Sequence, residues 1–234
     1  ILPNLHRKDW VYEQIADEVP LPAYEVATDI DQALSAIQRL SRAGEVSVKP
    51  CVSVYGKGFF RLVDGTPERP DADTVAGWEV RVRGKERFDT HLVMRYLPGA
   101  EYSLDVAARD GQLLAAVTRC KDELNKVQVI VDKPELVKYA SFMVQRFRGN
   151  GLLNIQFKDD SEGVARLLEI NPRASGGMGM SCMSGVNLPD IAYRASLFPE
   201  LPIHVPAPRT GIRVAEISLA VELPVPEASP AVDG

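Results

Sequence analysis

Asn154-Ile155-Gln156, a polar run Lys158-Asp159-Asp160-Ser161-Glu162-Gly163, and then Glu169-Ile170-Asn171-Pro172-Arg173 form the stretch whose reading decides the fold. In a strand, residues two apart share a face, so Asn154 pairs with Gln156 and Glu169 with Asn171. The Gly-ended polar run between them reads as a hairpin loop. Closing that hairpin sets Gln156 opposite Glu169 and Asn171, with Arg173 just beyond the strand end. Oxygen donors of this kind suit Mg²⁺, which keeps several waters and shares its shell with phosphate oxygens. The arginine fork matches phosphate or carboxylate. The continuation Ala174-Ser175-Gly176-Gly177-Met178-Gly179-Met180-Ser181 lets backbone N–H groups approach an anion. Singly, each feature describes an ordinary polar sheet face. Joined, they point to a nucleoside triphosphate held with a divalent cation.

Composition sets the frame. The 234 residues, 45% hydrophobic and 25% charged, are enough to bury a core as one large domain or two lobes. A net charge of −5 lacks the basic footprint of a nucleic-acid or anionic-membrane binder, so neither partner is expected. No apolar run approaches the roughly 18 residues of a membrane span, and no signal-peptide pattern opens the chain. Cys51, Cys120 and Cys182 are odd in number, far apart and without a CxxC, as expected of reduced thiols in a cytoplasmic protein. His6, His91 and His204 have no paired ligands, which argues against zinc. The chain opens on Ile1, from which a processed or truncated chain is expected.

Hydrophobic periodicity predicts a helix over 9–18 carrying Trp10, Val11, Ile15 and Val19 on one side, ended by Pro20 and Pro22. A short strand follows at 24–27, and Asp29 or Asp31 starts a second helix that runs to about Ala43 and stops at Gly44. Strands are predicted at 45–49, 59–63, 92–97, 101–108, 113–119 and 127–131, with Asp110-Gly111 as a hairpin signal. The segment 64–87 reads as loop with a short helix or strand. Residues 134–148 form an amphipathic helix with Pro at its start, and 188–197 form another. The last dozen residues, rich in Pro and Ala, read as a tail.

This order of elements resembles the ATP-grasp superfamily over about four-fifths of the chain, and within it the carbamoyl-phosphate-synthetase-like branch of carboxylate–amine ligases. The resemblance rests on Val48-Lys49-Pro50, on Tyr96-Leu97-Pro98-Gly99-Ala100-Glu101-Tyr102-Ser103-Leu104-Asp105, on Asn154-Ile155-Gln156-Phe157 and on Glu169-Ile170-Asn171-Pro172-Arg173, in that order. It implies an α+β chain with the ATP-grasp fold, in which two α/β subdomains hold the nucleotide between antiparallel sheets. Residues 1–27 would supply a first helix and a linking strand, 28–97 a small nucleotide-lid subdomain, 98–222 a larger subdomain with the metal site, and 223–234 a tail. The run from Lys49-Pro50 to Gly56-Lys57-Gly58-Phe59 is further similar to ATP-grasp proteins linked to bacterial tellurium-resistance operons.

The resemblance also implies roles. Lys49 would contact the α-phosphate and the adenine edge, and Lys8 (or its neighbour Arg7) would be the earlier phosphate-side cation. Ser53, Gly56, Lys57 and Gly58 would belong to the flap over the β- and γ-phosphates. Met94, Arg95, Tyr96 and Leu97 would be the hinge whose backbone pairs with adenine, and Glu101 would accept from the ribose hydroxyls. Arg119 and Lys121 would sit near the phosphates or the acceptor. Gln156, Glu169 and Asn171 would hold Mg²⁺, with Mn²⁺ as its substitute, and Arg173 would steady the transferred phosphoryl group alongside Lys49. Two departures stand out: Val52, Val54 and Tyr55 occupy a flap that usually carries more glycines, and Arg95 takes a hinge position that is often Glu.

The implied reaction is ATP-dependent ligation, in which a carboxylate is activated as an acyl phosphate, releasing ADP, and is then attacked by an amine, ammonia or thiol. Its partners would be small-molecule carboxylate and amine substrates, with an α/β domain upstream of Ile1 and a homodimer both compatible with the chain. The alternative is a nucleotide-binding or regulatory ATP-grasp module without ligase turnover.

Overall fold

The computed structural model describes residues 4–53, 57–122 and 126–217. The expected tail, and Gly56 with its neighbours Val54 and Tyr55 in the flap, lie outside the described residues. The chain runs through α1 (Lys8–Ile15), β1 (Tyr24–Ala27), α2 (Ile30–Ser41), β2 (Val46–Pro50), β3 (Phe60–Leu62), β4 (Ala72–Asp73), α3 (Val75–Arg83) and β5 (His91–Arg95). It continues with β6 (Glu101–Arg109), β7 (Gln112–Lys121), β8 (Val127–Val131), α4 (Pro134–Phe147), β9 (Gly151–Asp159), β10 (Ala165–Asn171), α5 (Met178–Cys182), α6 (Leu188–Leu197) and β11 (Arg213–Ala215).

Two sheets result. The smaller has the order β1-β5-β2-β3-β4, antiparallel except for the parallel β3–β4 pair. Its core joins Val46, Val48 and Val93 to Ala33 and Ile37 of α2 and to Trp78 and Val82 of α3. Asp29 caps α2 by accepting from the Gln32 amide, and Thr74 caps α3 by accepting from that of Gly77. The polar stretch from residue 64 to 87 thus contains both a strand and a helix.

The larger sheet is antiparallel throughout, in the order β10-β9-β6-β7-β8-β11. Period-two alternation divides its faces. Tyr102, Leu104 and Val106 of β6, with Leu153, Ile155 and Phe157 of β9, pack against α1 and α4 through Tyr12, Ile15, Leu136 and Met143. The opposite face meets α5 and α6 through Ala107, Val117, Met180 and Ile191. Within residues 4–27, α1 packs on the larger sheet, whereas β1 is the edge strand of the smaller.

The connection from β5 to β6 is pinned where it crosses. Gly99 N–H donates to Asp159 O at 3.0 Å, and Asp159 N–H donates to Ala100 O at 2.9 Å. A Cβ on Gly99 would lie 2.6 Å from Asp159 Cβ, so the approach needs glycine.

Candidate active site

The two sheets enclose a cleft of about 820 Å³. Ser47 and Lys49 of β2 and Met94 of β5 line one wall, Tyr96 to Ala100 line the end, and Glu101, Lys121, Gln156, Lys158 and Glu169 line the other wall. The second wall follows from register. Glu101 lies opposite both Lys121 and Lys158, Ser103 opposite both Arg119 and Gln156, and Gln156 opposite Glu169. Residues paired in this way share a face, so one face of the larger sheet is polar from edge to centre.

A β-bulge completes that face. The register of β10 shifts between Leu167 and Glu169, leaving Leu168 without a partner on β9. Strict alternation would put Glu169 on the buried side with Leu167; the extra residue re-aims it toward the cleft. The bulge also turns carbonyls toward polar groups. Leu168 O accepts from Lys49 Nζ at 3.0 Å and from the Tyr12 hydroxyl at 3.1 Å, and Leu167 O accepts from Tyr12 at 2.6 Å.

Charges converge at Glu169. Lys8, nearly buried in the first turn of α1, places Nζ 3.3 Å from Glu169 Oε2 and donates to Ser53 Oγ at 3.2 Å. Asn171 Nδ2 donates to Glu169 Oε1 at 2.9 Å. Burial by itself would raise the Glu169 carboxyl, but Lys8, the Asn171 amide and Lys49 together hold it below the ordinary value. Burial lowers the Lys49 ammonium to about 7, reinforced by the neighbouring charge of Lys8 and opposed by Glu169.

Of the residues expected at a nucleotide site, Lys8, Lys49, Ser53, Met94, Tyr96, Leu97, Glu101, Lys121, Gln156 and Glu169 all line this cleft. Glu101 and Lys121 form an ion pair across β6 and β7. The Leu97 N–H makes no hydrogen bond to another described residue, so the hinge retains a backbone donor. Asn171 stands two pairs beyond Glu169, opposite Asn154, and Arg173 NH2 reaches its Oδ1 at 3.5 Å; neither Asn171 nor Arg173 is part of the cleft wall. Lys57 is exposed, and it and Gly58 stand outside the lining.

Arg95 and Arg119 turn their side chains away from the cleft. Arg95 sits at the hinge, but its guanidinium packs against Gly44, on the side away from the cleft; strand alternation gives the inward position to Met94. Arg119 is 1% exposed and lies beneath the glycine-rich turn rather than in the cleft. It ion-pairs with Asp105 at 2.8 Å and donates to Ser181, Ser103, Ser175 and Gln128. Each of its three nitrogens thereby donates to protein, and Gly177 packs so tightly on the guanidinium that a Cβ there would clash. The turn itself contains α5.

Sequence reasoning passes over Ser47 and Lys158 as cleft residues. They share a strand face with Lys49 and Gln156, two residues away, so alternation already marks them. Lys158 Nζ and the Arg61 guanidinium lie 5.5 and 4.5 Å from the Tyr96 ring centre. Ser47 Oγ is buried with no hydrogen-bond partner among the described residues.

The donor set fits Mg²⁺: one carboxylate with amide oxygens is a weak cage alone, suited to an ion that completes its shell with water and phosphate. Among the described residues no cluster of three or more His, Cys, Asp or Glu offers a self-sufficient metal cage.

Residues 87–220 match the family model described as ATP-grasp in the biosynthetic pathway with Ter operon. This chain belongs to the ATP-grasp family. Carnosine synthase 1 of Gallus gallus is 32% identical over 136 residues, covering 50% of this chain and 14% of that protein. The biotin carboxylase domain of Hydrogenobacter thermophilus 2-oxoglutarate carboxylase, solved with MgADP, ADP and bicarbonate, superposes with a TM-score of 0.67 at 16% identity, covering 90% of this chain and 49% of that one. The L-amino acid ligase of Bacillus licheniformis gives 0.58 at 15% identity, covering 84% and 48%. The ATP-grasp chain therefore shares its fold with these ligases and spans about half the length of the solved chains. Among its described residues no helix is long and apolar enough to cross a membrane.

Proposed function

We propose that this chain binds ATP with Mg²⁺ and activates a carboxylate as an acyl phosphate, from which an amine displaces phosphate. The observation that carries this reading is the convergence of Gln156, Glu169, Lys8 and Lys49 on one cleft between the sheets. Two lysines beside one carboxylate and one amide suit a polyphosphate with its cation far better than a neutral ligand. The unpartnered Ser47 hydroxyl in the opposite wall supports a polar ligand there, since an unsatisfied buried hydroxyl costs about 1–3 kcal/mol.

In this reading Gln156, Glu169 and Asn171 would hold Mg²⁺ (or Mn²⁺), which when bound offsets the charge of the phosphates. Lys49 and Lys8 hold the phosphate chain from the side of α1 and β2. The Leu97 N–H and the Met94 side chain form the adenine end, and Glu101 receives the ribose. Arg173, just beyond the end of β10, would meet the transferred phosphoryl group or the carboxylate. Such sites work by positioning and electrostatics more than by covalent chemistry of the protein.

Relatives named for carnosine synthesis and for joining L-amino acids support amino acids as the first substrates to try. The test is ADP release from ATP and Mg²⁺ across a panel of amino acids offered as carboxylate and amine. Release that requires a carboxylate is expected. Tight ATP binding with no release in any mixture would favour a nucleotide-binding module instead.

A further inference from the structure

Beneath Gln156 lies a run of buried polar groups whose hydrogen bonds all have one direction. Asp105, fully buried in β6, makes only accepting contacts. Its Oδ2 takes Arg119 NH2 at 2.8 Å and Ser181 Oγ at 2.6 Å, and its Oδ1 takes Asn154 Nδ2 at 2.9 Å. Ser103 Oγ receives the same Asn154 amide at 2.9 Å. A carboxylate cannot donate, so the NH2 of Asn154 must face Asp105 and its oxygen must face the other way. That oxygen accepts from Gln156 Nε2 at 3.1 Å. Gln156 Oε1 is then the end of the amide that is left over, and it accepts no hydrogen bond from any described residue.

An amide side chain is nearly symmetric in shape but opposite in chemistry at its two ends. Turned one way, Gln156 offers an oxygen to a cation; turned the other, it offers an NH2 that repels one. Resting on the metal reading proposed above, we infer that Asn154 is a positioning residue that turns the Gln156 amide so that its oxygen faces the cation held with Glu169. The polarity originates at Asp105 and is passed through Asn154. Ligands oriented in this way by surrounding groups typically lose 10–100-fold in metal affinity when the orienting group is removed.

The test is Mn²⁺ binding in the presence of ADP, followed by the free-ion electron paramagnetic resonance signal, in two backgrounds. In the parent chain, Asn154→Leu keeps the Asp105–Arg119 ion pair but frees the Gln156 amide, and Mn²⁺ affinity should fall about 10–100-fold. In a Gln156→Glu background both ends of the side chain are oxygens and orientation no longer matters. There Asn154→Leu should change affinity by no more than about twofold, the scatter of independent sites. An equal loss in both backgrounds would show that Asn154 acts through the fold alone and would overturn the inference, as would no loss in the parent. Should Asn154→Leu not fold, Asn154→Ser passes through the same two backgrounds with the same expectations. Gln156→Ala separates the inference from its premise. If that variant binds Mn²⁺–ADP like the parent, the metal reading itself falls and the inference with it. If it binds weakly while Asn154→Leu does not, only the positioning role falls.

Discussion

Lys49 shows how much a single residue's surroundings decide. Its ammonium is nearly buried and close to Lys8, so its pKa falls to about 7 even though the Leu168 carbonyl accepts its hydrogen bond. At about pH 8 most molecules without nucleotide carry a neutral Lys49, and a polyphosphate arriving beside it favours the charged form. ATP binding near pH 8 should therefore take up a proton, and affinity should fall as pH rises past 7. Near pH 6 the proton is already in place. The calorimetric enthalpy at about pH 8 should vary with the ionisation enthalpy of the buffer, and Lys49→Arg, always charged, should abolish that variation. Buffer-independent enthalpy in the parent at that pH would contradict it. At this scale the sequence shows residue types and alternation, which bring Gln156 opposite Glu169 and mark Lys49. It does not show the surroundings: Arg119 finds its partners in Asp105, fourteen residues earlier, and Ser181, sixty-two later. Those contacts, absent from any local pattern, take it out of the cleft.

Elements add what residues lack, chiefly through β10 and the sheet face. The bulge at Leu168 decides which side Glu169 faces, and Tyr12 on α1 holds it by hydrogen bonds to two successive carbonyls. The Glu-x-Asn alternation is legible in the sequence, but the bulge is not, because Leu167-Leu168 has no glycine or other mark of an inserted residue. The same holds at the hinge, where a one-residue shift exchanges Met94 for Arg95. Tyr12→Phe should therefore destabilise the chain by about 1–3 kcal/mol, since Leu167 O loses a buried donor while Leu168 O keeps only Lys49. Across the same sheet, Arg119→Met leaves the Asp105 carboxylate buried and unpaired and should cost about 3–5 kcal/mol. Adding Asp105→Leu to that variant should recover much of the loss. Denaturant unfolding of these variants and of Asp105→Leu alone measures both effects; an additive double variant would mean the ion pair is not the source.

At the scale of the whole molecule, function depends on holding two sheets around one cleft. The order of helices and strands, read from periodicity and turn residues, resembles the ATP-grasp superfamily, and it is that resemblance that implies two lobes. The way they join is less legible, because it rests on contacts between residues far apart in the chain, among them the close approach of Gly99 to the end of β9 and the hydrogen bond from Lys49 to Leu168 O. Gly99→Ala forces a Cβ against Asp159, so both stability and ATP affinity should fall. A variant that loses stability while binding ATP as before would show that the crossing does not shape the cleft. The central claim is that Glu169 makes the cleft a site for ATP with its cation. The most direct measurement is calorimetric titration of ATP, with and without Mg²⁺, into the parent chain and into Glu169→Gln. The expected result is binding by the parent that strengthens with Mg²⁺, and a Glu169→Gln variant, equally folded, in which that strengthening is lost. Binding that ignores Mg²⁺ in both proteins, or no binding by the folded parent, would contradict it.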